Sequence, residues 1–225
     1  MDRLHRTRLL FGNDTVAQLR KSTVMVVGCG AVGSFAIEAL ARTGIGHLIL
    51  IDSDSVEESN INRQLFALGS TVGMPKVAVA SARIHDINPE IQVDALNLFF
   101  DEKTELNFAP DYVIDAIDTV PSKIALYRWC NAHNIPFISS MGAARRTDMQ
   151  GIQIVRLSQT RVCPLASRIR KIVRDEKLPD FDVVYSSAPL AGNTVHGHEF
   201  GSLITITGTF GLMMANWVIN HLAKK

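Results

Sequence analysis

The stretch that decides the fold runs from Val26 to Gln64. It opens Val26-Val-Gly-Cys-Gly-Ala-Val-Gly33 and closes Leu48-Ile-Leu-Ile-Asp-Ser-Asp-Ser-Val-Glu-Glu-Ser-Asn-Ile-Asn-Arg-Gln64. Gly28, Gly30 and Gly33 satisfy G-x-G-x-x-G, and a strand-like run, Thr23 to Val27, stands before them. Asp52 follows Gly33 by 19 residues and ends a second apolar run, His47 to Ile51. This is the layout of a nucleotide-binding βαβ unit. The glycines permit a tight turn and close backbone approach, a helix N-terminus meets phosphate, and an acid at the second strand end meets ribose hydroxyls. Ala31, inside the turn, joins that cofactor-binding set. Alone, the pattern suits NAD. Asn60, Arg63, Gln64 and Lys76 argue otherwise, because they place polar and cationic groups where a dehydrogenase has no use for them.

The chain has 225 residues, 47% hydrophobic and 20% charged, enough for one substantial core. Net charge is only +1, so no global field draws in nucleic acid. Charge is uneven, however. From Arg145 to Lys177 there are nine Lys/Arg against three Asp/Glu, a local basic face that suits a polyanion or a solvated helix surface. Cys29, Cys130 and Cys163 lie far apart without C-x-x-C, which argues against a disulfide framework or a four-cysteine zinc site and fits a reducing cytoplasm. The first residues, Met1 to Gly12, carry charges and no apolar segment of the signal-peptide kind. Gly201 to Ala223 has no formal charge, yet its threonines and asparagines make it a buried core helix rather than a membrane span.

Along the chain, apolar runs alternate with helical patterns. Helices are predicted at about Asp14–Arg20, Val32–Arg42, Asn62–Leu68, Lys76–Ile87 and Ser122–Asn134, and strands at Ile91–Ala95, Tyr112–Ala116 and Pro136–Ser140 in addition to the first two. The alternation predicts an α/β fold with a Rossmann-like, doubly wound, mostly parallel sheet. After Gly142 the pattern changes: a strand at Gly151–Leu157, a basic amphipathic helix at Pro164–Arg174, a loop from Leu178 to Glu199, and a final helix over Leu203–Leu222. The expectation is one domain over residues 1–225, with a nucleotide-binding core in 1–142 and a substrate-side elaboration in 143–225.

In such sheets ligands bind outside the carboxyl ends of the strands. The glycine turn, Asp52 and Asp54, and Asp115 and Asp118 fall there, with Asn60, Arg63, Gln64 and Lys76 beside them. A ribose acceptor, two cations and a metal-capable carboxylate suit a nucleoside triphosphate. Arg63 and Lys76 neutralise phosphate oxygens, and Asp118 suits Mg²⁺, which prefers carboxylate plus phosphate oxygens. No G-x-x-x-x-G-K-[ST] is present, so attack at the α-phosphate fits better than γ-phosphoryl transfer. Asp115 reads as a strand-end cap. Cys29 and Cys130 read as packing residues, and Cys163, beside Arg161, as either packing or a reactive thiol. His196 and His198, at i, i+2 spacing, suit a metal or simple loop polarity.

The set Gly28-x-Gly30-x-x-Gly33, Asp52-x-Asp54, Asn60-x-x-Arg63-Gln64, Lys76 and Asp115-Ala-Ile-Asp118 resembles the ubiquitin-activating-enzyme-like superfamily, over roughly Arg6 to Gly142. The resemblance implies adenylation of a carboxylate by ATP and Mg²⁺. It assigns Asp52 to ribose, Asn60, Arg63, Gln64 and Lys76 to the triphosphate, and Asp118 to Mg²⁺ and the α-phosphate. The segment Arg6-Thr-Arg-Leu-Leu-Phe-Gly12 is similar to one that supplies an arginine, here Arg6, across a homodimer interface. Members that activate carrier proteins commonly hold zinc on two C-x-x-C pairs, which this chain lacks. It is more similar to the zinc-free branch of tRNA threonylcarbamoyladenosine dehydratases, through Ala39–Gly46, Ile87-Asn-Pro89, Gly142-Ala143, Pro164-Leu-Ala166 with its Arg-rich helix, and Gly208-Thr-Phe-Gly211. In that branch an aspartate is expected where Cys163 stands, and the segment from Leu178 to Glu199 diverges. That likeness implies ATP-dependent cyclisation of threonylcarbamoyladenosine in tRNA, with Arg145, Arg146, Arg168, Arg170, Lys171 and Arg174 along the tRNA path. The alternative within the superfamily activates a ubiquitin-like or sulfur-carrier protein and implies a carrier or sulfur-relay partner.

Overall fold

A computed structural model describes residues 2–191 and 200–224. The segment holding His196 and His198 lies outside the described residues. Seven strands form one sheet: β1 Thr23–Val27, β2 His47–Ile51, β3 Gln92–Leu96, β4 Tyr112–Asp115, β5 Phe137–Ser140, β6 Ile152–Arg156 and β7 Asp182–Ser186. Their order is β3-β2-β1-β4-β5-β7-β6. All neighbours are parallel except β6 on β7. The apolar continuity of β1 and β2 follows from their place inside the sheet, where helices cover both faces.

Helices α1 His5–Phe11 and α2 Asn13–Leu19 precede the sheet. Helix α3, Gly33–Thr43, buries Ala36, Ile37, Leu40 and Ala41 and stops at Gly44, whose left-handed backbone (φ +96°) closes the helix. Helix α4, Lys76–Ile87, follows Pro75 and ends at Asn88-Pro89. Helix α5, Val120–Ala132, carries Pro121 in its first turn, where a missing N–H does no harm. Helix α6, Pro164–Asp175, turns Ala166, Ile169 and Val173 inward. Helix α7, Ile204–Leu222, packs its buried face on α3. The approach is close enough that a Cβ on Gly211 would lie 2.2 Å from the Val32 carbonyl oxygen. This is the core helix expected from the uncharged run. No described helix is long and apolar enough to cross a membrane.

Two expectations need correction. The stretch Asn62–Leu68 is turns, not helix. A short 3-10 helix, Glu58–Asn60, stands before it, closed by reciprocal side-chain bonds between Glu57 and Asn60, and the Asn60 carbonyl takes both the Arg63 and Gln64 amides. The segment from Leu178 is not all loop, because Asp182–Ser186 enters the sheet between β5 and β6 as β7. Val183, Val184 and Tyr185 are buried there. The strand is short and flanked by loop-forming residues, so its burial follows from its neighbours rather than from local pattern.

Candidate active site

The site begins at the turn from β1 to α3. Gly28 has φ +95°, and a Cβ there would meet the Ala116 carbonyl oxygen at 2.6 Å. A Cβ on Gly33 would lie 1.8 Å from the Gly28 oxygen. The turn is therefore pressed against the residue that follows β4, and only glycine fits at both positions. The ends of β1, β2 and β4 converge on a cavity of about 790 Å³. Its wall includes Gly28, Gly30, Ala31, Asp52, Asp54, Arg63, Gln64, Lys76 and Asp118.

Asp52 is held by the backbone. Its Oδ2 accepts the Cys29 N–H at 2.6 Å and its Oδ1 accepts the Asp54 N–H at 2.8 Å. Burial nevertheless pushes its carboxyl above the ordinary aspartate value, against the opposing pull of those two amides. Lys76 opens α4 from a buried position, and its Nζ donates to Asp54 Oδ2 at 2.7 Å. The two residues are also joined by a backbone bond, Lys76 N–H to the Asp54 carbonyl. Arg63 Nη1 donates to the Ser59 carbonyl and to Asn62 Oδ1, both at 2.8 Å, which turns a half-buried guanidinium toward the cavity wall. Asp118 is exposed on the loop between β4 and α5.

That loop is anchored from beneath. Asp115 Oδ2 accepts from Lys123 Nζ at 2.9 Å and from Ser139 Oγ at 2.5 Å, and Asp115 Oδ1 accepts the Ile117 N–H. Asp115 is thus more than a strand-end cap: it ties β4, β5 and the first turn of α5 together. No group of three or more His, Cys, Asp or Glu that could hold a metal occurs among the described residues. A cation at Asp118 would therefore draw its remaining ligands from phosphate oxygens or water.

The glycine cradle, the half-buried carboxylate of Asp52 and the two cations form a cavity whose lining suits a nucleotide without a P-loop. The ThiF family model matches residues 4–225. The chain belongs to the ThiF family. It is 49% identical over 174 residues to the tRNA threonylcarbamoyladenosine dehydratase of Bacillus subtilis, covering 76% of this chain and 68% of that protein. The solved structure of the Escherichia coli tRNA N6-threonylcarbamoyladenosine dehydratase TcdA in complex with AMP superposes with a TM-score of 0.92 at 35% identity, over 98% of this chain and 93% of that one. The complex of the same protein with ATP gives 0.90 at 34% identity, with the same coverage.

Within this ThiF-family fold, three residues singled out in the sequence stand away from the cavity wall. Gly33 supports the turn from behind. Asn60 is buried, and its Oδ1 accepts the Glu57 N–H, so it shapes the segment carrying Arg63 and Gln64. Arg6 is exposed on α1.

The basic segment after Gly142 divides in the same way. Arg168 lines the cavity. Arg170 Nη1 donates to the Thr160 carbonyl at 2.6 Å. Arg146 is almost wholly buried, a position no surface tRNA path can use. Its Nη2 donates to the Val162 carbonyl at 3.2 Å, while Nε and Nη1 have no partner among the described residues. Cys163 is buried at the N-terminus of α6, where its Sγ takes the Ala166 N–H at 3.5 Å. Its setting is that of a packing and capping residue rather than an exposed thiol. Burial raises the Cys29 and Cys130 thiols well above the usual range, as suits packing residues.

Sequence reasoning missed Lys123, Ser139, Ser122, Phe99 and Phe100. The last three line the cavity. A lysine eight positions after Asp115, in a helix, gives no sign of pointing inward. Phe99 and Phe100 sit in an irregular segment after β3 with no motif around them.

Proposed function

We propose that this chain is an ATP-dependent adenylating enzyme, a tRNA threonylcarbamoyladenosine dehydratase. The observation that carries the reading is the convergence of the Gly28–Gly30 turn, Asp52, Arg63, Lys76 and Asp118 on one cavity, in a chain so similar to proteins of that name. In the first step a carboxylate oxygen of the threonyl group attacks the α-phosphorus of ATP, and pyrophosphate leaves. A nitrogen of the same modified group then attacks the acyl carbon and expels AMP, closing a hydantoin-like ring. Activation is required because an unactivated carboxylate would have to expel oxide or hydroxide, whereas the acyl-adenylate expels AMP, a far better leaving group, and proximity favours the intramolecular attack. Asp52 holds ribose, Arg63 and Lys76 offset phosphate charge, Gln64 contacts the triphosphate from the same wall, and Asn60 shapes the turn that carries Arg63 and Gln64. Asp118 would hold Mg²⁺, which would supply charge neutralisation at the phosphates.

Exposed Arg161, Arg168, Lys171 and Arg174 suit a polyanionic tRNA. Helix α1 leaves Leu9 and Leu10 largely exposed beside Arg6, which favours cover by a second copy that receives Arg6. Three free, buried cysteines suit a reducing cytoplasm.

The test is release of AMP and pyrophosphate from ATP with tRNA carrying threonylcarbamoyladenosine, followed by mass analysis of its nucleosides. Loss of the mass of one water from the modified base is expected. Asp118→Ala should abolish AMP formation with the fold intact, and near-normal turnover would remove its metal role. AMP formed only with a Gly-Gly-ended carrier protein would move the chain to the carrier-activating branch.

A further inference from the structure

We infer that the first turn of α5 is an oxyanion subsite with Ser122 as its side-chain donor, taking an oxygen of the reacting acyl-phosphate centre. The inference rests on the adenylation reading. Five consecutive residues, Asp118 to Ser122, line the cavity, so the N-terminus of this helix opens onto it. Thr119, the N-cap, makes no side-chain capping hydrogen bond. The first-turn amides of Val120 and Ser122 have no intrahelical acceptor, and Pro121 has no N–H to offer. The positive end of the helix dipole is thus left to meet a negative group from outside the helix.

Ser122 supplies the independent sign. It is 3% exposed, yet its Oγ has no hydrogen-bond partner among the described residues. A serine in a helix commonly relieves this by bonding back to the carbonyl four residues earlier, and Ser122 does not. Two other hydroxyls in the same wall are already committed. Ser140 Oγ donates to the Met141 carbonyl, and Thr207 Oγ1 to the carbonyls of Leu203 and Ile204 at the start of α7. A buried polar atom without a partner in a cavity wall is a place that a ligand completes.

The turn is also fixed in space. Lys123, the next residue, is clamped to Asp115 and Ser139, and Asp115 holds the Ile117 amide. Lys123, Asp115 and Ser139 position the donors without lining the cavity themselves. Arg63 and Lys76 approach from the turn after β2 and the start of α4, and so serve the phosphate chain. The start of α5 adjoins Asp118, at the reacting centre. An α-phosphate oxygen and the oxygen of the substrate carboxylate share the required chemistry.

Ser122→Ala distinguishes them. Because it removes an unsatisfied buried hydroxyl, the variant should melt no lower than the parent. Its AMP formation with the modified tRNA should fall about tenfold to a hundredfold. Unchanged affinity for ATP and AMP in titration calorimetry, with the loss in turnover, assigns the subsite to the carboxylate. A matching loss in nucleotide affinity assigns it to the α-phosphate. Ser122→Thr, which keeps the hydroxyl, should retain activity. Turnover and nucleotide affinity of Ser122→Ala both within about twofold of an active parent would overturn the inference. A parent inactive on this tRNA would instead defeat the functional reading. The calorimetric comparison would then decide the subsite alone: weaker ATP binding by Ser122→Ala supports it, and equal binding overturns it.

Discussion

Lys123 Nζ lies 2.9 Å from Asp115 Oδ2, and both side chains are almost completely removed from solvent. Their charges are paired where water cannot screen them, and Ser139 Oγ bonds to both. Removing one partner leaves the other buried and uncompensated. Lys123→Met should therefore lower the unfolding free energy by about 3–5 kcal/mol in urea titrations. A loss under about 1 kcal/mol would mean that water or a proton reaches Asp115.

Arg146 presents the opposite case. Burial lowers its pKa from the usual arginine value, and among the described residues only one of its nitrogens has a partner. Arg146→Met keeps much of the side-chain volume and removes the desolvated charge. We expect it to raise stability by on the order of 1–3 kcal/mol. Cys163→Asp, which would offer a carboxylate near that guanidinium, should also raise the melting temperature. A lower melting temperature in both variants would show instead that the buried guanidinium stabilises the fold.

Lys76 is buried while its partner Asp54 is mostly exposed, so the pair is unequal. The lysine has few other positions to adopt, and the aspartate can swing away when phosphate arrives. Lys76→Met should cut kcat/KM for ATP about a hundredfold or more, and Asp54→Asn far less. Equal effects of the two would sink the assignment of Lys76 to phosphate.

Burial pushes the Tyr112 phenol up to about 12, although the Trp217 indole N–H donates to its oxygen. The folded state therefore holds this proton more tightly than the unfolded chain, whose phenol releases it near 10. The resulting stability is complete below pH 10 and is lost as pH rises toward 12, up to about 2–3 kcal/mol. Tyr112→Phe should flatten the stability profile in that window relative to the parent. Parallel profiles would refute the shift.

Local pattern carried far in this chain because the decisive features are local. The β1 and β2 runs, the glycine turn and α4 depend on side-chain period, on glycine stereochemistry and on stop signals within a few residues. The spacing from Gly28 to Asp118 likewise placed most of the cavity wall, because strand ends in a parallel sheet bring those positions together. The 3-10 turn at Glu58–Asn60 escaped because two reciprocal side-chain bonds, rather than periodicity, set it.

The sequence by itself determined a Rossmann-like unit, the positions that line most of its cavity, and the kinship of the chain. Tertiary structure alone decided that β7 lies between β5 and β6, that Lys123 and Arg146 turn inward, and that Ser122 is left without a partner among the described residues. The physical reason is the range of the interactions. Backbone preference and periodicity act over a turn or two of chain. Burial of a charge or hydroxyl is set by residues distant in sequence: Asp115 and Ser139 enclose Lys123, and the strands on either side of β7 supply the hydrogen bonds that its own residues do not announce.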